Sequence, residues 1–159
     1  MTIKSHNHDF GFIRVSSEEK TQRVAAVFDS VARRYDLMND VMSWGLHRLW
    51  KDAVVARLRP RVSTRLIDLA GGTGDIAFRF LKAGGGAVTV ADINCEMLAV
   101  GRRRAKRLGY CSKINWLCLN AETMPFADMS ADAVTCAFGV RNMTHIEEAL
   151  SEVHRILKP

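Results

Sequence analysis

Apolar positions recur along this chain with two different spacings. Before residue 60 the spacing is helical. Val24, Val27, Phe28 and Val31 predict a helix over residues 17–34, capped by Ser17 and with Glu18 and Glu19 in its first turn. Residues 35–43 break the pattern. Leu46, Leu49, Trp50 and Val54 then predict one face of a second helix over residues 44–58, ended by Pro60. After residue 65 short apolar runs alternate with helical stretches. The runs at 66–70, 87–91, 114–119 and 132–138 predict strands. Residues 75–82, 96–108 (stopped by Gly109) and 146–157 predict helices, the last with Ile146, Leu150, Val153 and Leu157 on one face. This alternation predicts an α/β fold, a Rossmann-like doubly wound parallel sheet with four strands present. The chain thus divides into a polar, mobile arm (1–16), an N-terminal helical cap (17–60) and an incomplete Rossmann-like domain (61–159).

Composition adds bounds rather than detail. A chain of 159 residues can bury one core, and 48% apolar with 25% charged residues is ordinary for a globular protein. No apolar run approaches the roughly 18 residues of a spanning helix. The first residues match neither a signal nor a transit peptide, so a cytoplasmic protein is expected. The net charge of +6 concentrates in residues 57–65 and in Arg102, Arg103, Arg104, Lys106 and Arg107. Such a patch reads as a solvated face before it reads as an anionic surface. It has no interleaved aromatics for base stacking, and no nucleic-acid partner is expected. The cysteines form no C-x-x-C pair and have no histidine at ligand spacing, so no metal is expected. Cys118 and Cys136 lie in apolar runs and read as buried thiols, with nothing to suggest an oxidising compartment.

The sharpest local feature is Asp68-Leu-Ala-Gly71-Gly72-Thr73-Gly74-Asp75, which joins a buried strand to a helix. Glycines there allow a tight turn and close ligand approach, at the strand end where a nucleotide ligand is expected. The spacing also satisfies a relaxed dinucleotide fingerprint, with Ala77 in the last position. Three features weigh toward S-adenosylmethionine, which carries an ammonium and a sulfonium and no phosphate: Asp68 inside the strand, Asp75 at the helix N-terminus, and Asn120-Ala121-Glu122 after the third strand. Asp92, at the end of the second strand, either accepts both ribose hydroxyls of the ligand or merely opens a turn.

Several further segments occur in order: HDFGF at 8–12, VFDSVARRYDLMN at 27–39, MSWGLHRLW at 42–50, ADIN at 91–94 with Met97-Leu98, NAETMPF at 120–126, FGVRN at 138–142 and RILKP at 155–159. With the glycine loop, these resemble the ubiquinone/menaquinone biosynthesis C-methyltransferase family along essentially the whole chain. The resemblance implies a class I methyltransferase fold and transfer of the S-adenosylmethionine methyl group to a ring carbon of a polyprenyl benzoquinol or demethylmenaquinol. It places the cofactor on Thr73, Asp92, Asn120 and Ala121; Asp68, Gly71, Gly72, Gly74, Ile93 and Met97 complete the expected cofactor site. Where many members have serine before Phe-Gly, this chain has Ala137.

Such chemistry needs a carbon made nucleophilic by loss of a neighbouring hydroxyl proton, and a group to stabilise the phenolate or take the proton. Arg141 and Asn142, following the fourth strand, are the first candidates. Tyr35 and Asp36, in the break between the cap helices, can close over the site or serve as an ordinary helix-end aromatic and a cap. His47 and His145 are alternative bases, but a surface or packing role for His47 and a cap of the last helix for His145 come first. The implied partners are the polyprenyl quinol, a peripheral contact with the inner face of a bacterial membrane through Trp44, Trp50 and nearby arginines, and a second copy of the chain or other quinone-biosynthesis proteins. The family fold has seven strands, so the resemblance also implies a chain that stops at Pro159, before its fifth strand. Three alternatives stand beside the enzyme reading: a non-catalytic remnant, a partner subunit, and a methyltransferase for another small molecule.

Overall fold

A computed structural model describes residues 7–10, 13–16 and 46–159. The expected helix over 17–34 and the break that holds Tyr35 and Asp36 lie outside the described residues, as does Trp44. No regular structure was expected in residues 1–16. Instead β1 (Asn7–Phe10) and β2 (Ile13–Ser16) pair antiparallel, with Asn7 opposite Ser16 and Phe10 opposite Ile13. The short run around Gly11 in the sequence has the makings of a hairpin that polarity alone conceals.

The remaining elements follow the predicted alternation: α1 (Leu46–Leu58), β3 (Leu66–Leu69), α2 (Asp75–Lys82), β4 (Val88–Asp92), α3 (Cys95–Leu108), β5 (Ile114–Cys118), β6 (Ala133–Thr135) and α4 (Ile146–Ile156). The sheet is parallel throughout, in the order β5-β4-β3-β6. The chain runs outward from β3 to β5 and then returns to the other side of β3. That reversal opens a crevice at the carboxyl ends of the strands.

Strand alternation builds two cores. Leu66, Val88, Val90, Ile114 and Trp116 face Phe80, Leu81 and Leu98 of α2 and α3. Ile67, Leu69 and Ala91 face Met124 and Ile156 on the opposite side, where α4 packs. Helices therefore cover both faces, as a doubly wound sheet requires. Asn94 caps α3 by accepting the Met97 N–H at 2.9 Å, and Gly109 ends that helix at φ 74°.

Two helices turn differently from the expected apolar stripes. In α1, Leu49, Trp50 and Val54 are exposed while Val55 and the stem of Lys51 are buried. The cause is an ion pair: Lys51 Nζ lies 3.0 Å from Asp75 Oδ2 on α2 and draws its side of the helix inward. In α4, Ile146 and Leu150 are exposed, and Ala149 and Ile156 are buried. A small residue lets the helix lie close to the sheet, so Ala149 outcompetes the larger leucine for the inner position. Beyond α4, Leu157 pairs with Ala131 in a parallel bridge beside the start of β6.

Candidate active site

The glycine loop turns at the carboxyl end of β3, beside the reversal in strand order. Ala70, Gly72 and Gly74 all have positive φ, at 53°, 53° and 80°. A Cβ at Gly74 would also stand 2.7 Å from the Trp116 ring, so that position admits no side chain on two counts. A Cβ at Gly71 would come 2.8 Å from Asp68 Oδ2, which marks how closely the loop backbone lies over that carboxylate.

Asp68 is 1% exposed. Strand register sets it beside Thr135 of β6, whose hydroxyl donates to Oδ1 at 2.8 Å. Oδ2 is buried with no hydrogen-bond partner. Burial pushes the Asp68 pKa up to about 7; the Thr135 hydroxyl opposes the rise, the Asp92 charge adds to it, and Lys51 and the Ala77 N–H oppose it. An unsatisfied buried carboxylate oxygen at a strand end is costly unless something cationic or hydrogen-bonding meets it.

Asp92 ends β4. Its Oδ2 accepts the Gly72 N–H and its Oδ1 the Asn94 N–H, both at 2.8 Å. Burial raises its pKa against the pull of these N–H donors. Each oxygen retains lone-pair capacity beyond its backbone bond, which suits a vicinal diol. Asp92 therefore does more than open a turn: it ties the glycine loop to the start of α3.

The structure gathers most of the other expected residues at this edge. Thr73 and Met97 are buried, and the Met97 methyl would lie 3.0 Å from a Cβ at Gly72. Ile93 is exposed. The N–H of Leu119, just before Asn120, donates to the Asp92 carbonyl at 3.0 Å. The Asn120 side chain accepts the Glu122 N–H at 3.0 Å and shapes its own turn, while Ala121 packs on the second core. Arg141 (exposed) and Asn142 (half-buried) lie in a 3-10 turn, Val140–Asn142, after β6. That turn abuts the glycine loop, since a Cβ at Gly139 would stand 2.3 Å from the Ala70 Cβ. Phe138, next to it, has φ 64° and stacks against Trp50 at a 6.0 Å centroid distance.

Two expectations are corrected. Asp75 does not offer its charge to a ligand, because Lys51, Arg79 and Arg104 surround it at 3.0, 3.3 and 3.4 Å. Burial would raise its pKa, and these cations hold it below the usual range instead. Cys118 is not a buried thiol: it is exposed and bonded to Cys95 at the start of α3, with Cα atoms 5.5 Å apart. A separation of 23 residues hides this pairing from a motif search, but Cys118 is in register with Asp92, three residues before Cys95. Cys136 keeps its thiol, which burial pushes up to about 11 with the Asp68 charge adding to the effect.

Residues that sequence reasoning passed over are Lys51 and Thr135. Lys51 has no acid four residues away on its own helix, a sign that its partner lies elsewhere. Thr135 was legible only through strand register. His145, one alternative base, has Nδ1 2.8 Å from Glu122 Oε2, while Glu122 Oε1 accepts the N–H groups of Thr144 and His145. Burial raises the Glu122 pKa, and these donors outweigh it and hold the carboxyl below its usual range. Glu148 brings a third potential ligand atom within 4.8 Å of these two, but the bonds just described already commit Glu122. The side chain of His47, the other alternative, lies outside the described residues.

This donor set fits S-adenosylmethionine. The orphaned Asp68 oxygen suits a cationic ligand, and the spare capacity of Asp92 suits ribose hydroxyls. The comparisons with known proteins agree. Residues 16–159 match the model of the ubiE/COQ5 methyltransferase family. The chain is 57% identical over 163 residues to a ubiquinone/menaquinone biosynthesis C-methyltransferase UbiE of Methylobacterium nodulans, covering 100% of this chain and 64% of that protein. It is 44% identical over 185 residues to the mitochondrial 2-methoxy-6-polyprenyl-1,4-benzoquinol methylase of Bos taurus, covering 94% and 56%. The chain thus spans about 60% of the length of these relatives. In fold it resembles a SAM-dependent methyltransferase of Aquifex aeolicus with a TM-score of 0.62 at 22% identity, over 69% of this chain and 58% of that one. The glycine loop, the acid at the end of β4 and the parallel β5-β4-β3-β6 sheet agree with these matches, and the chain belongs to the ubiE/COQ5 methyltransferase family.

Proposed function

We propose that this chain binds S-adenosylmethionine along the edge formed by Asp68, the 70–74 loop and Asp92, and that it serves methyl transfer to a ring carbon of a polyprenyl quinol. The observation that carries the cofactor reading is Asp68, a buried carboxylate with one oxygen unpartnered at the mouth of the loop. When bound, S-adenosylmethionine supplies an electrophilic methyl group. Asp92 accepts the ribose hydroxyls while its backbone bonds keep the loop and α3 in place. Gly71, Gly72, Thr73 and Gly74 leave the approach open, Met97 floors it, and Ile93, Asn120 and Ala121 border the adenine side.

On the substrate side, Arg141 stabilises the phenolate that makes the ring carbon nucleophilic, since a guanidinium stays protonated and cannot itself be the base. Asn142 orients the quinol or a water that takes the proton. Tyr35 and Asp36, which the VFDSVARRYDLMN segment carries, complete the set of substrate-side residues. The quinol class comes from the bovine relative, whose name specifies a polyprenyl benzoquinol, and the bacterial relative's name adds ubiquinone and menaquinone biosynthesis. A quinol with a polyprenyl tail dissolves in a bilayer. The reading is peripheral contact, with exposed Trp50 at the surface concerned. Among the described residues no helix is long and apolar enough to cross a bilayer.

The first test is calorimetric titration of the 159-residue chain with S-adenosylmethionine, with Asp92→Ala as control. Binding that the substitution abolishes supports the cofactor site; equal binding by both chains overturns it. Transfer of labelled methyl to a demethylated quinol, lost in Arg141→Met with cofactor binding intact, tests the substrate side. A chain that binds the cofactor but transfers nothing to any quinol favours the role of a non-catalytic partner.

A further inference from the structure

The Cys95–Cys118 bond joins the two chain segments that border the adenine side of the cleft. Cys95 opens α3, directly after Asp92, Ile93 and Asn94. Cys118 ends β5, two residues before Asn120. Its Sγ also lies 3.5 Å from the Ile93 carbonyl oxygen. Both cysteines are exposed residues. Among the described residues β5 is an edge strand, paired only with β4. Past its end, the Leu119 N–H to Asp92 carbonyl bond is the next backbone tie to β4. The covalent link therefore fastens the end of an edge strand, where fraying is cheapest, to the helix start that Asp92 and Asn94 organise.

We propose that Cys95 and Cys118 form a reversible thiol–disulfide site whose reactant is a low-molecular-weight disulfide of the glutathione class, and that closing it tightens the adenine side of the cofactor cleft. The second half rests on the S-adenosylmethionine reading; the first stands without it. The chemistry balances as ordinary exchange. Cys95, at the first position of α3, supplies the attacking thiolate. That thiolate attacks one sulfur of the small disulfide, breaks its S–S bond and expels one thiolate. The Cys118 sulfur, after giving up its proton, then attacks Cys95 Sγ in the mixed disulfide and expels the second. Two protein thiols are oxidised to one disulfide, the reagent is reduced to two thiols, and the two protein protons end on them.

The effect on binding follows from linkage. If closure strengthens cofactor binding by some factor, bound cofactor strengthens closure by the same factor. We expect S-adenosylmethionine to bind about fivefold more weakly to the reduced chain, at the low end of ordinary coupling between sites.

The test uses the 159-residue chain carrying Cys111→Ser, which removes an exposed thiol outside the pair. The chain is equilibrated across a series of glutathione to glutathione disulfide ratios, quenched by alkylation, and its free thiols are counted by intact mass. Two thiols should disappear together, with Cys95 and Cys118 linked in the peptide map, and neither Cys95→Ser nor Cys118→Ser should form the link. Calorimetry on the reduced and oxidised chains should give the fivefold difference, and saturating S-adenosylmethionine should move the closure midpoint by the same factor. Alkylation of both cysteines across the whole series would overturn the site. Closure with equal affinity in both states would overturn the coupling and leave the site standing. Absence of cofactor binding in either state would overturn the cofactor reading and the coupling together, while the thiol count still decides the pair.

Discussion

The loops that follow β3 and β5 treat their polar groups in opposite ways. In the loop over 122–128, Arg155 of α4 reaches across and spends its guanidinium completely. It donates to both carboxylate oxygens of Glu152, to the carbonyls of Met124 and Phe126, and to Asp128. Glu152 in turn accepts the Met124 N–H at 2.7 Å. Its carboxyl is held down to about 2, chiefly by Arg155. Before the loop over 70–74, the more deeply buried carboxylate of Asp68 in β3 has an oxygen with no partner, and the loop backbone passes through the left-handed region three times. A region whose bridging cation has every N–H matched is finished as it stands. A region that leaves a buried acceptor open, and holds strained backbone around it, is shaped for something else to complete it.

The largest effect expected from breaking this contrast is on the open side. Asp92→Asn should weaken S-adenosylmethionine binding by about 100-fold, because it removes the charge from a charge-assisted diol contact and disturbs the Gly72 and Asn94 bonds. Calorimetry reads this, and circular dichroism confirms the fold. Next comes Gly74→Ala, which places a methyl group against Trp116 at positive φ and should cost about 2 kcal/mol of stability by urea unfolding.

Asp68→Asn sharpens the comparison through its sign. The native pKa of about 7 lies above the ordinary 3.8, so between those values the folded chain holds more protons than the unfolded chain. Stability therefore falls as pH rises through that window. The substitution should flatten the fall and stabilise the ligand-free chain at pH 8 by about 1–3 kcal/mol, while cofactor binding drops. Parallel stability profiles for the two chains between pH 5 and 8 would refute the assignment. The smallest effect belongs to the closed side. Arg155→Lys loses the fork geometry and should lower Tm by a few degrees, with cofactor affinity changed less than about twofold.

Much of the fold was legible because its signals are periodic. From residue 46 on, strand and helix boundaries fell within a few residues of those predicted, apart from β6, which is shorter than its apolar run; the pairing of β1 with β2 went unpredicted. The glycine loop and Asp92 announced themselves by residue type and spacing. What escaped depends on partners distant in sequence. The orientation of α1 is set by the Lys51–Asp75 pair, which a count of apolar positions does not weigh. The Cys95–Cys118 link and the Thr135–Asp68 bond arise from register between strands. Asp75 illustrates the converse: its position at the helix N-terminus was read correctly, but three cations from two other helices and its own cancel the charge it was expected to present.

The open oxygen of Asp68 also carries a calorimetric consequence. Near pH 7 this carboxyl is shared between its protonated and ionised forms in the ligand-free chain. A cationic ligand favours the ionised form, so its arrival expels a fraction of a proton into solution. The heat of binding must then vary with the ionisation enthalpy of the buffer, and the slope of that dependence counts the protons released. In Asp68→Asn the slope should vanish.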